Sequence, residues 1–583
     1  MKKIIYFLFC LWMSLGVTLT LPCFAQETHS LKRASGVPVI TSLWYDSIIP
    51  HGVRLNWITD TPTDTHLQVA VSDSNYQPFH MFVDLASPNQ MTNHSWWLWC
   101  PYPGRIYRYF LWSQNTGGTA ADSGYFVTQS TSTGKTEVYF THSVDTTVST
   151  GELANGNANF ENLLLNSISK SRYSIDIALW EFSDYPTIAA SLISAKNRGV
   201  KIRFIYNNSP NTQYMDTLVA HGIQIIHRNT DTASAMHNKF WVFDYRNNSD
   251  SSIKWLCTGS ANVTHPMFHT DRNNMVFIQD EALCAVYTRE FELMWGSHTD
   301  NADTARSKFG PRKFNNVPHV LNVAGTRMEV YFSPVEGVAD SLEHIIRIKT
   351  THSLFFGMLK FNLQSMEDTL HSIFRHGRQV CGVVDSTYAF ETNGSYPRMK
   401  GLAVPNAWSP HADVFIDSID GLLHHKYFII DANTKTGNKI TSTGSFNWQA
   451  SDALGNDDNS LTIFDPRVNN LFYQEFMARY KESGGTELWW GVETKDPKPG
   501  LLTNYPNPFP GKTRITYVVN QPGWVKLTVL NDTGLELAVL ANGNQEPGTF
   551  ELTWNASGFP AGIYFLRLAT ADYSMVRKMI IIK

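Results

Sequence analysis

The chain has 583 residues, which is too long for one ordinary domain and predicts three or four. Hydrophobic residues make up 43% and charged residues 17% of the sequence, a balance that excludes general disorder. The formal net charge is −4, so a broad basic surface for nucleic acid is not expected, although a local basic cleft remains compatible with it.

The first 25 residues predict export. Lys2 and Lys3 precede an apolar run, Ile4–Leu21, and Pro22-Cys23-Phe24 then leads to the small residue Ala25. This pattern is typical of a secretory signal cut after Ala25, with an uncleaved membrane anchor as the alternative. Cleavage would remove two lysines and leave a net charge of −6. The remaining cysteines form no CxxC pair, so we expect buried thiols rather than a zinc or disulfide framework: Cys100, Cys257, Cys284 and Cys381.

Residues 36–130 predict an N-terminal β-sandwich. Short runs alternate apolar and polar residues, as in Val53-x-Leu55-x-Trp57, and turns such as Pro103-Gly104 separate them. The stretches 54–60 and 103–109 resemble a fibronectin type III-like module.

Residues 136–490 predict an internal duplication. Glu137–Phe140, with the sequence Glu-Val-Tyr-Phe, recurs as Glu329–Phe332. In both copies strand patterns alternate with amphipathic helix patterns, which is typical of a layered α/β domain. We therefore expect two mixed sheets flanked by helices, in half 1 (136–320) and half 2 (327–490).

Residues 498–583 are again rich in strand patterns and predict a small C-terminal β-sandwich. The segment beginning Asn504-Tyr505-Pro506-Asn507-Pro508 resembles the C-terminal sorting domain of type IX secretion. That resemblance implies passage across the outer membrane by the type IX secretion machinery, to a secreted or cell-surface location.

Each half of the central region carries the pattern His-x-Lys-x4-Asp, followed by Gly-Ser-x-Asn and then by an Asn that opens an apolar strand. The residues are His237, Lys239, Asp244, Ser260, Asn262 and Asn274 in half 1, and His424, Lys426, Asp431, Ser445, Asn447 and Asn459 in half 2.

The spacing within each motif predicts that its His and Lys side chains lie together, as the cleavage of a phosphodiester requires. On a strand, residues i and i+2 share a face, so each imidazole projects with its lysine, while His425 points to the opposite face. Two imidazoles can supply a nucleophile and a proton donor, and two lysines can neutralise a phosphate without a metal. Asp244 and Asp431 fall near the far strand ends, where we expect structural roles.

This doubled motif resembles the phospholipase D superfamily. The resemblance implies two α/β halves facing across one cleft, a phosphohistidine intermediate, catalysis by His237, Lys239, His424 and Lys426, and no metal or cofactor. It further implies phosphate binding by Ser260, Asn262, Ser445 and Asn447. Because both motifs are on one chain, we expect a monomer.

The residues before the late strands differ between the halves. Half 2 has Asp458 before Asn459, whereas half 1 has Asn273 before Asn274. We expect Asp458 and Asn273 to orient the imidazoles, with Asp271 as an alternative in half 1. If each acts within its own half, His424 is the more basic imidazole and attacks phosphorus, and His237 donates the proton. The superfamily's usual assignment makes the first-motif histidine the nucleophile, and the two arguments disagree.

The motif defines the reaction class better than the substrate. We expect a secreted phospholipase D acting on phospholipid head groups, with a secreted endonuclease as the first alternative. A surface adhesion protein with an inactive core is the alternative of another class. Arg198, Lys201 and Arg203 are candidates for a nucleic-acid path. The segment 385–420 predicts a loop over the cleft that selects substrate.

Overall fold

The structure is a computed structural model that describes residues 36–582, apart from 72–79, 209–212, 229–233, 248–249, 403, 419, 487, 489–499, 520–522, 532–533, 547 and 571–573. The predicted signal, 1–25, lies outside the described residues. Among the residues described, no helix is both long and apolar enough to cross a membrane. Every cysteine that the structure describes is buried and free.

The N-terminal region is an antiparallel sheet of long strands. In chain order these are β1 (Ile40–Ile49), β2 (Gly52–Val71), β3 (His80–Trp99), β4 (Ile106–Asn115) and β5 (Gly118–Val127). On one side of β2, β1 pairs with residues 52–59 and β4 pairs with residues 66–71, while β3 runs along the other side. Alternate residues of β2, including Val53, Leu55 and Trp57, enter the core. The β-rich prediction is confirmed; the two-sheet sandwich and the fibronectin-like module stay predictions.

Half 1 forms a mixed sheet in the order β6-β12-β11-β10-β7-β8-β9, with β7, β8 and β9 parallel and the other pairs antiparallel. Its elements in chain order are β6 (Thr136–Phe140), α1 (Phe160–Lys170), β7 (Ser174–Glu181), α2 (Pro186–Asn197), β8 (Lys201–Asn208), α3 (Gln213–Ala220), β9 (Gln224–His227), β10 (Lys239–Phe243), β11 (Trp255–Gly259), α4 (His265–His269), β12 (Asn274–Gln279) and α5 (Glu281–Trp295).

Half 2 repeats this order with one added edge strand, as β13-β14-β20-β19-β18-β15-β16-β17. Its elements are β13 (Val320–Val323), β14 (Thr326–Phe332), α6 (Val338–Lys349), β15 (Ser353–Met358), α7 (Gln364–Arg375), β16 (Gln379–Val384), α8 (Tyr396–Met399), β17 (Asp413–Ile416), β18 (Lys426–Ile430), β19 (Ile440–Gly444), α9 (Ala450–Leu454), β20 (Asn459–Ile463) and α10 (Pro466–Glu482). The predicted duplication with mixed sheets is confirmed.

One hydrophobic core joins the two halves. It contains apolar residues of α5, of α10 and of both sheets. Helix α5 is buried along nearly its whole length, and α10 packs on strands of its own half and on β6 of half 1. This shared core holds the two His-Lys motifs in fixed positions relative to each other.

The segment 385–420 is partly regular, which corrects the prediction of a plain loop. It contains α8, and its strand β17 pairs in parallel with β16. The side chain of Trp408 is buried against α7. The sequence pattern did not predict these two elements, because each is only four residues long and Gly and Pro residues lie between them.

The C-terminal region consists of two antiparallel sheets. Its strands are β21 (Gly500–Tyr505), β22 (Lys512–Val519), β23 (Gly523–Leu530), β24 (Glu536–Gln545), β25 (Gly548–Asn555), β26 (Gly562–Thr570) and β27 (Ser574–Ile581). The sheets are β21-β22-β25 and β24-β23-β26-β27, and buried residues of both belong to one cluster. The region is β-rich as predicted, and the sandwich remains our interpretation of these sheets.

Candidate active site

The two motif lysines open the central strands of their sheets. Lys239 is the first residue of β10 and Lys426 the first residue of β18, and both are buried. Their ammonium groups donate to the carbonyls of the motif histidines, at 2.8 Å to His237 and 2.7 Å to His424. Each lysine therefore folds back to its own histidine, as the spacing of two residues on a strand predicts.

The orienting contacts cross from one half to the other. The Nδ1 atom of His237 lies 2.6 Å from Oδ1 of Asp458, and Nδ1 of His424 lies 2.9 Å from Oδ1 of Asn273. The expectation that each imidazole is oriented within its own half is therefore wrong. With Nδ1 engaged, Nε2 is the ring atom left for chemistry in both histidines.

Backbone pairing between the halves explains this crossing. The amide of His237 donates to the carbonyl of Asp457 at 2.9 Å, and the amide of Asp457 donates to Ala235 at 2.8 Å. The equivalent amide of Arg272 donates to Leu422 at 2.8 Å. The start of each late strand thus lies against the segment before the opposite histidine.

Three further predicted side chains reinforce the crossing. Asn459 donates to Thr258 of half 1 at 2.9 Å, and Asn274 accepts from Thr443 of half 2 at 2.9 Å. Oδ1 of Asp271 accepts from the amide of Leu422 at 2.9 Å. Asp271 therefore holds the segment before His424, and the imidazole contact belongs to Asn273.

The two motif serines hold the orienting residues. The hydroxyl of Ser260 donates to Oδ1 of Asn273 at 2.8 Å, and that of Ser445 donates to Oδ1 of Asp458 at 2.7 Å. Both serines are buried. Each hydroxyl proton has an acceptor in this arrangement, and the predicted phosphate binding by the two serines stays a prediction.

The two motif asparagines differ. Asn262 is fully buried, and neither its amide nitrogen nor its amide oxygen has a partner among the described residues. The amide nitrogen of Asn447 instead donates to Asp452 at 2.8 Å. Since an unpaired buried amide is costly, Asn262 is the predicted phosphate ligand whose whole amide remains available.

The motif aspartates lie at the far ends of their strands. Oδ1 of Asp244 accepts from the amides of Tyr173 at 2.6 Å and Ser174 at 3.1 Å. Asp431 accepts in the same way from His352 at 2.7 Å and Ser353 at 2.9 Å. Both carboxylates tie the start of a neighbouring strand, away from the histidines.

His425 immediately precedes β18, and its side chain points to the core between the halves rather than to the site. Its Nε2 is 2.9 Å from Glu475 of α10 and its Nδ1 is 3.1 Å from Asn274. Burial of its imidazole is the largest influence on His425 and lowers its pKa. The side chain belongs to the core between the halves.

Asp452 was not predicted. This fully buried residue of α9 lies so that one of its oxygens, one oxygen of Asp458 and a ring nitrogen of His237 are within 4.8 Å of one another. By distance alone these three could hold a metal ion, but the ammonium of Lys239 in the same site opposes a cation. The absence of a metal stays a prediction. A comparison of the halves could have found Asp452, because Met267 occupies its place in half 1.

Burial and mutual repulsion shape the electrostatics of the site. Burial and then the neighbouring lysines hold the pKa of His237 and of His424 well below the ordinary value. Burial also lowers the pKa of Lys239 and of Lys426, and raises the pKa of Asp458. An anion such as a phosphodiester would raise the pKa of all four cationic groups, so the arrangement favours anion binding.

Comparisons with known proteins agree with this geometry. A family model described as "Cardiolipin synthase, PLD-like domain" matches residues 164–295 and 345–480, which include both motifs. A model described as "Secretion system C-terminal sorting domain" matches residues 503–583.

Among curated relatives, the mitochondrial cardiolipin hydrolase of Xenopus laevis is 28% identical over 160 residues, covering 27% of this chain and 68% of that protein. The Mus musculus protein of that name is 28% identical over 153 residues, covering 26% and 62%. Among solved structures, the phospholipase D family member Nuc from Salmonella typhimurium shares 21% identity with a TM-score of 0.23, covering 28% of this chain and 98% of that one. Phosphatidylserine synthase from Haemophilus influenzae shares 11% identity with a TM-score of 0.41, covering 60% and 86%.

Residues 164–295 and 345–480 therefore carry a duplicated PLD-like domain, built as two α/β halves with a doubled His-Lys motif. The chain also carries a type IX secretion C-terminal sorting domain, which indicates export to the cell surface or secretion.

Proposed function

We propose that this protein is a secreted phospholipase D-type enzyme that hydrolyses head-group phosphodiester bonds of phospholipids through a phosphohistidine. The observation that carries the proposal is the crossed pairing, in which each half completes the histidine of the other. Two imidazoles with free Nε2 atoms, two lysines and the unpaired amide of Asn262 supply the groups that phosphoryl transfer needs.

The roles follow from the crossed contacts. In the first step Nε2 of His237 attacks phosphorus, a P–N bond forms, and the P–O bond to the head-group alcohol breaks. His424 gives its Nε2 proton to the departing oxygen. Asp458 stabilises the positive charge that His237 gains, whereas neutral Asn273 leaves His424 the stronger acid.

In the second step water replaces the head group. His424 takes a proton from water, the water oxygen bonds to phosphorus, and the P–N bond breaks to release His237 and a phosphate monoester. Lys239, Lys426 and Asn262 would contact the phosphoryl oxygens throughout. The proposed nucleophile, His237, is also the one that the superfamily's usual assignment implies. The crossed contacts support this choice, because they place the carboxylate of Asp458 on His237.

Two sets of side chains bear on the choice between a lipid and a nucleic-acid substrate. Arg203 is fully buried in an ion pair with Asp176 at 2.7 Å, and Arg198 donates to helix carbonyls such as Ile168 at 2.9 Å. Arg203 is therefore unavailable for a nucleic-acid path, whereas Arg198 and Lys201 are exposed but lie beside Asp244 and Ser174, at the strand ends away from the histidines. Phe390 and Leu454 instead expose 61% and 75% of their surfaces, from the segment after β16 and from the helix of Asp452. Exposed apolar side chains at this edge suit a membrane surface.

The test is an assay of the exported protein on vesicles of phosphatidylcholine, phosphatidylglycerol or cardiolipin, and on single- and double-stranded nucleic acids. We expect release of head-group alcohol and a phosphate monoester lipid, with loss of activity in His424→Asn. Cleavage of nucleic acid without cleavage of any vesicle lipid would instead support the endonuclease alternative. Binding without cleavage of any diester would support an adhesion protein with an inactive core.

A further inference from the structure

Asp452 lies beside His237, whereas the first half has no acid in the equivalent place. The Gly-Ser-x-Asn motifs and late strands of the two halves align without a gap, so that Asn447 corresponds to Asn262 and Asp452 to Met267. The carbonyl of Met267 accepts from Asn273 at 3.0 Å, so this residue also adjoins an orienting side chain, but it carries no charge.

Neutral donors hold the Asp452 carboxylate. Its Oδ2 accepts from the backbone and side-chain nitrogens of Asn447 at 2.9 and 2.8 Å. Its Oδ1 accepts from Gln449 at 2.6 Å and from Asn456 at 2.8 Å. Among the described residues, no Lys or Arg forms an ion pair with this carboxylate. Burial and the charge of Asp458 raise the pKa of Asp452, whereas these donors and a positive charge on His237 act against that rise and favour the ionised form.

The two histidines therefore have unequal surroundings. Asp458 and Asp452 lie close to His237. Asp452 raises the pKa of His237, whereas Lys239, Lys426 and Lys360 lower it. After burial, the largest influences on the pKa of His424 come from Lys426, Lys239, His237 and His425, and all four lower it. A positive charge on His237 is thus stabilised by two carboxylates, whereas one on His424 faces a neutral amide.

We propose that Asp452 is a second positioning residue for His237, which stabilises the positive charge that His237 carries as phosphohistidine. It also fixes Asn447 and Asn456 next to Asp458, so that the carboxylate bonded to His237 keeps its place. The proposal rests on the proposed function, because it presumes that His237 becomes phosphorylated.

The test uses Asp452→Asn and Asp452→Met, the latter copying the residue of half 1. Because Asp452 stabilises imidazolium at His237, its removal lowers the pKa of His237. The acid limb of kcat against pH, where His237 takes up a proton, should move to lower pH by about one unit, and the plateau should fall about tenfold. Asp368→Asn removes an exposed carboxylate of α7 and should change neither quantity.

A merely structural Asp452 gives a different result. In that case the variants would melt at lower temperature and yield less folded enzyme, but the acid limb of the folded fraction would stay in place, which would overturn this inference. Phosphohistidine mapping by mass spectrometry separates the two proposals. If the wild type is labelled at His237 and the acid limb does not move, only the role of Asp452 fails. If no histidine is labelled and no diester is cleaved, the proposed function fails.

Discussion

The two halves of the central domain repeat one strand order but supply different groups to each other. Half 2 offers His237 a carboxylate, Asp458, with Asp452 close by, whereas half 1 offers His424 the neutral amide of Asn273. A nucleophile that gains positive charge and an acid that loses it need opposite surroundings. The duplication thus provides two imidazoles, and the divergence at these positions assigns them different tasks.

The buried ion pairs beneath the two motifs also differ between the halves. Glu290 of α5 and Glu475 of α10 occupy equivalent buried positions. Glu290 pairs with Lys313 of the connection between the halves at 2.5 Å, whereas Glu475 pairs with His425 at 2.9 Å and Arg479 at 3.3 Å. Lys313 also lies 2.9 Å from Asp457, next to Asp458. The connection between the halves thus helps to position the residue that orients His237.

The largest expected effect is the loss of either catalytic imidazole. His237→Ala and His424→Ala should each lower kcat/KM by at least about 10³-fold, because the two act as one unit. A phosphodiester with a very good leaving group needs no acid, so it should largely rescue His424→Ala and fail to rescue His237→Ala. The opposite pattern of rescue would exchange the two roles and refute the assignment made from Asp458.

Spacing along the chain could predict which side chains share a strand face, and it predicted the pairing of Lys239 with His237. It could not predict which half holds which imidazole, because the partner of Asp458 is set by packing of β20 against half 1. The contacts of Ser260 and Ser445 with Asn273 and Asp458 could not be predicted either, since a hydroxyl near a phosphate site has several acceptors within reach. Asp452 lies outside the motif, and a comparison of the two halves was needed to single it out, because Met267 occupies its place in half 1.

The second effect concerns stability. Lys313→Met should lower the free energy of unfolding by about 3–5 kcal/mol, because Glu290 and Asp457 would lose their buried cation. Denaturant titration of the wild type and the variant measures this difference. Arg306→Met removes an exposed partner of Asp303 on the same connection and should change stability by less than about 1 kcal/mol. Equal effects of the two variants would show that the buried network is not what stabilises this connection.

The third effect is at the orienting acid. Asp458→Asn keeps an acceptor for Nδ1 of His237 but removes the charge, and kcat should fall about 10- to 100-fold. The double variant Asp458→Asn with Asn273→Asp restores the charge on the other side of the site. It should not restore the rate if the roles are fixed, and recovery would show that either histidine can serve as nucleophile.

A smaller effect is expected for Asn273→Asp alone. The added carboxylate would stabilise imidazolium at His424 and raise its pKa, so the basic limb of kcat, which requires protonated His424, should move to higher pH. The rate should change less than about tenfold, because a weaker acid is offset by a larger protonated fraction. Asn166→Asp makes the same change at an exposed site on α1 and should leave the profile in place. A shift of the acid limb instead would mean that Asn273 acts on His237.

The smallest effect is expected from metal removal. Judged by distance alone, a cation could bind between His237, Asp452 and Asp458. These groups surround the proposed nucleophile, where Lys239 already supplies positive charge. A chelator should therefore leave kcat unchanged.

An added divalent ion that bound these atoms would compete for the ring nitrogens of His237, so it should inhibit rather than activate. Asp452→Asn should weaken that inhibition while Asp368→Asn should not, which separates binding at this site from effects on the vesicle surface. If a chelator instead abolished activity and a divalent ion restored it, His237, Asp452 and Asp458 would form a metal centre. The two halves would then differ in metal coordination rather than in the proton affinity of their histidines.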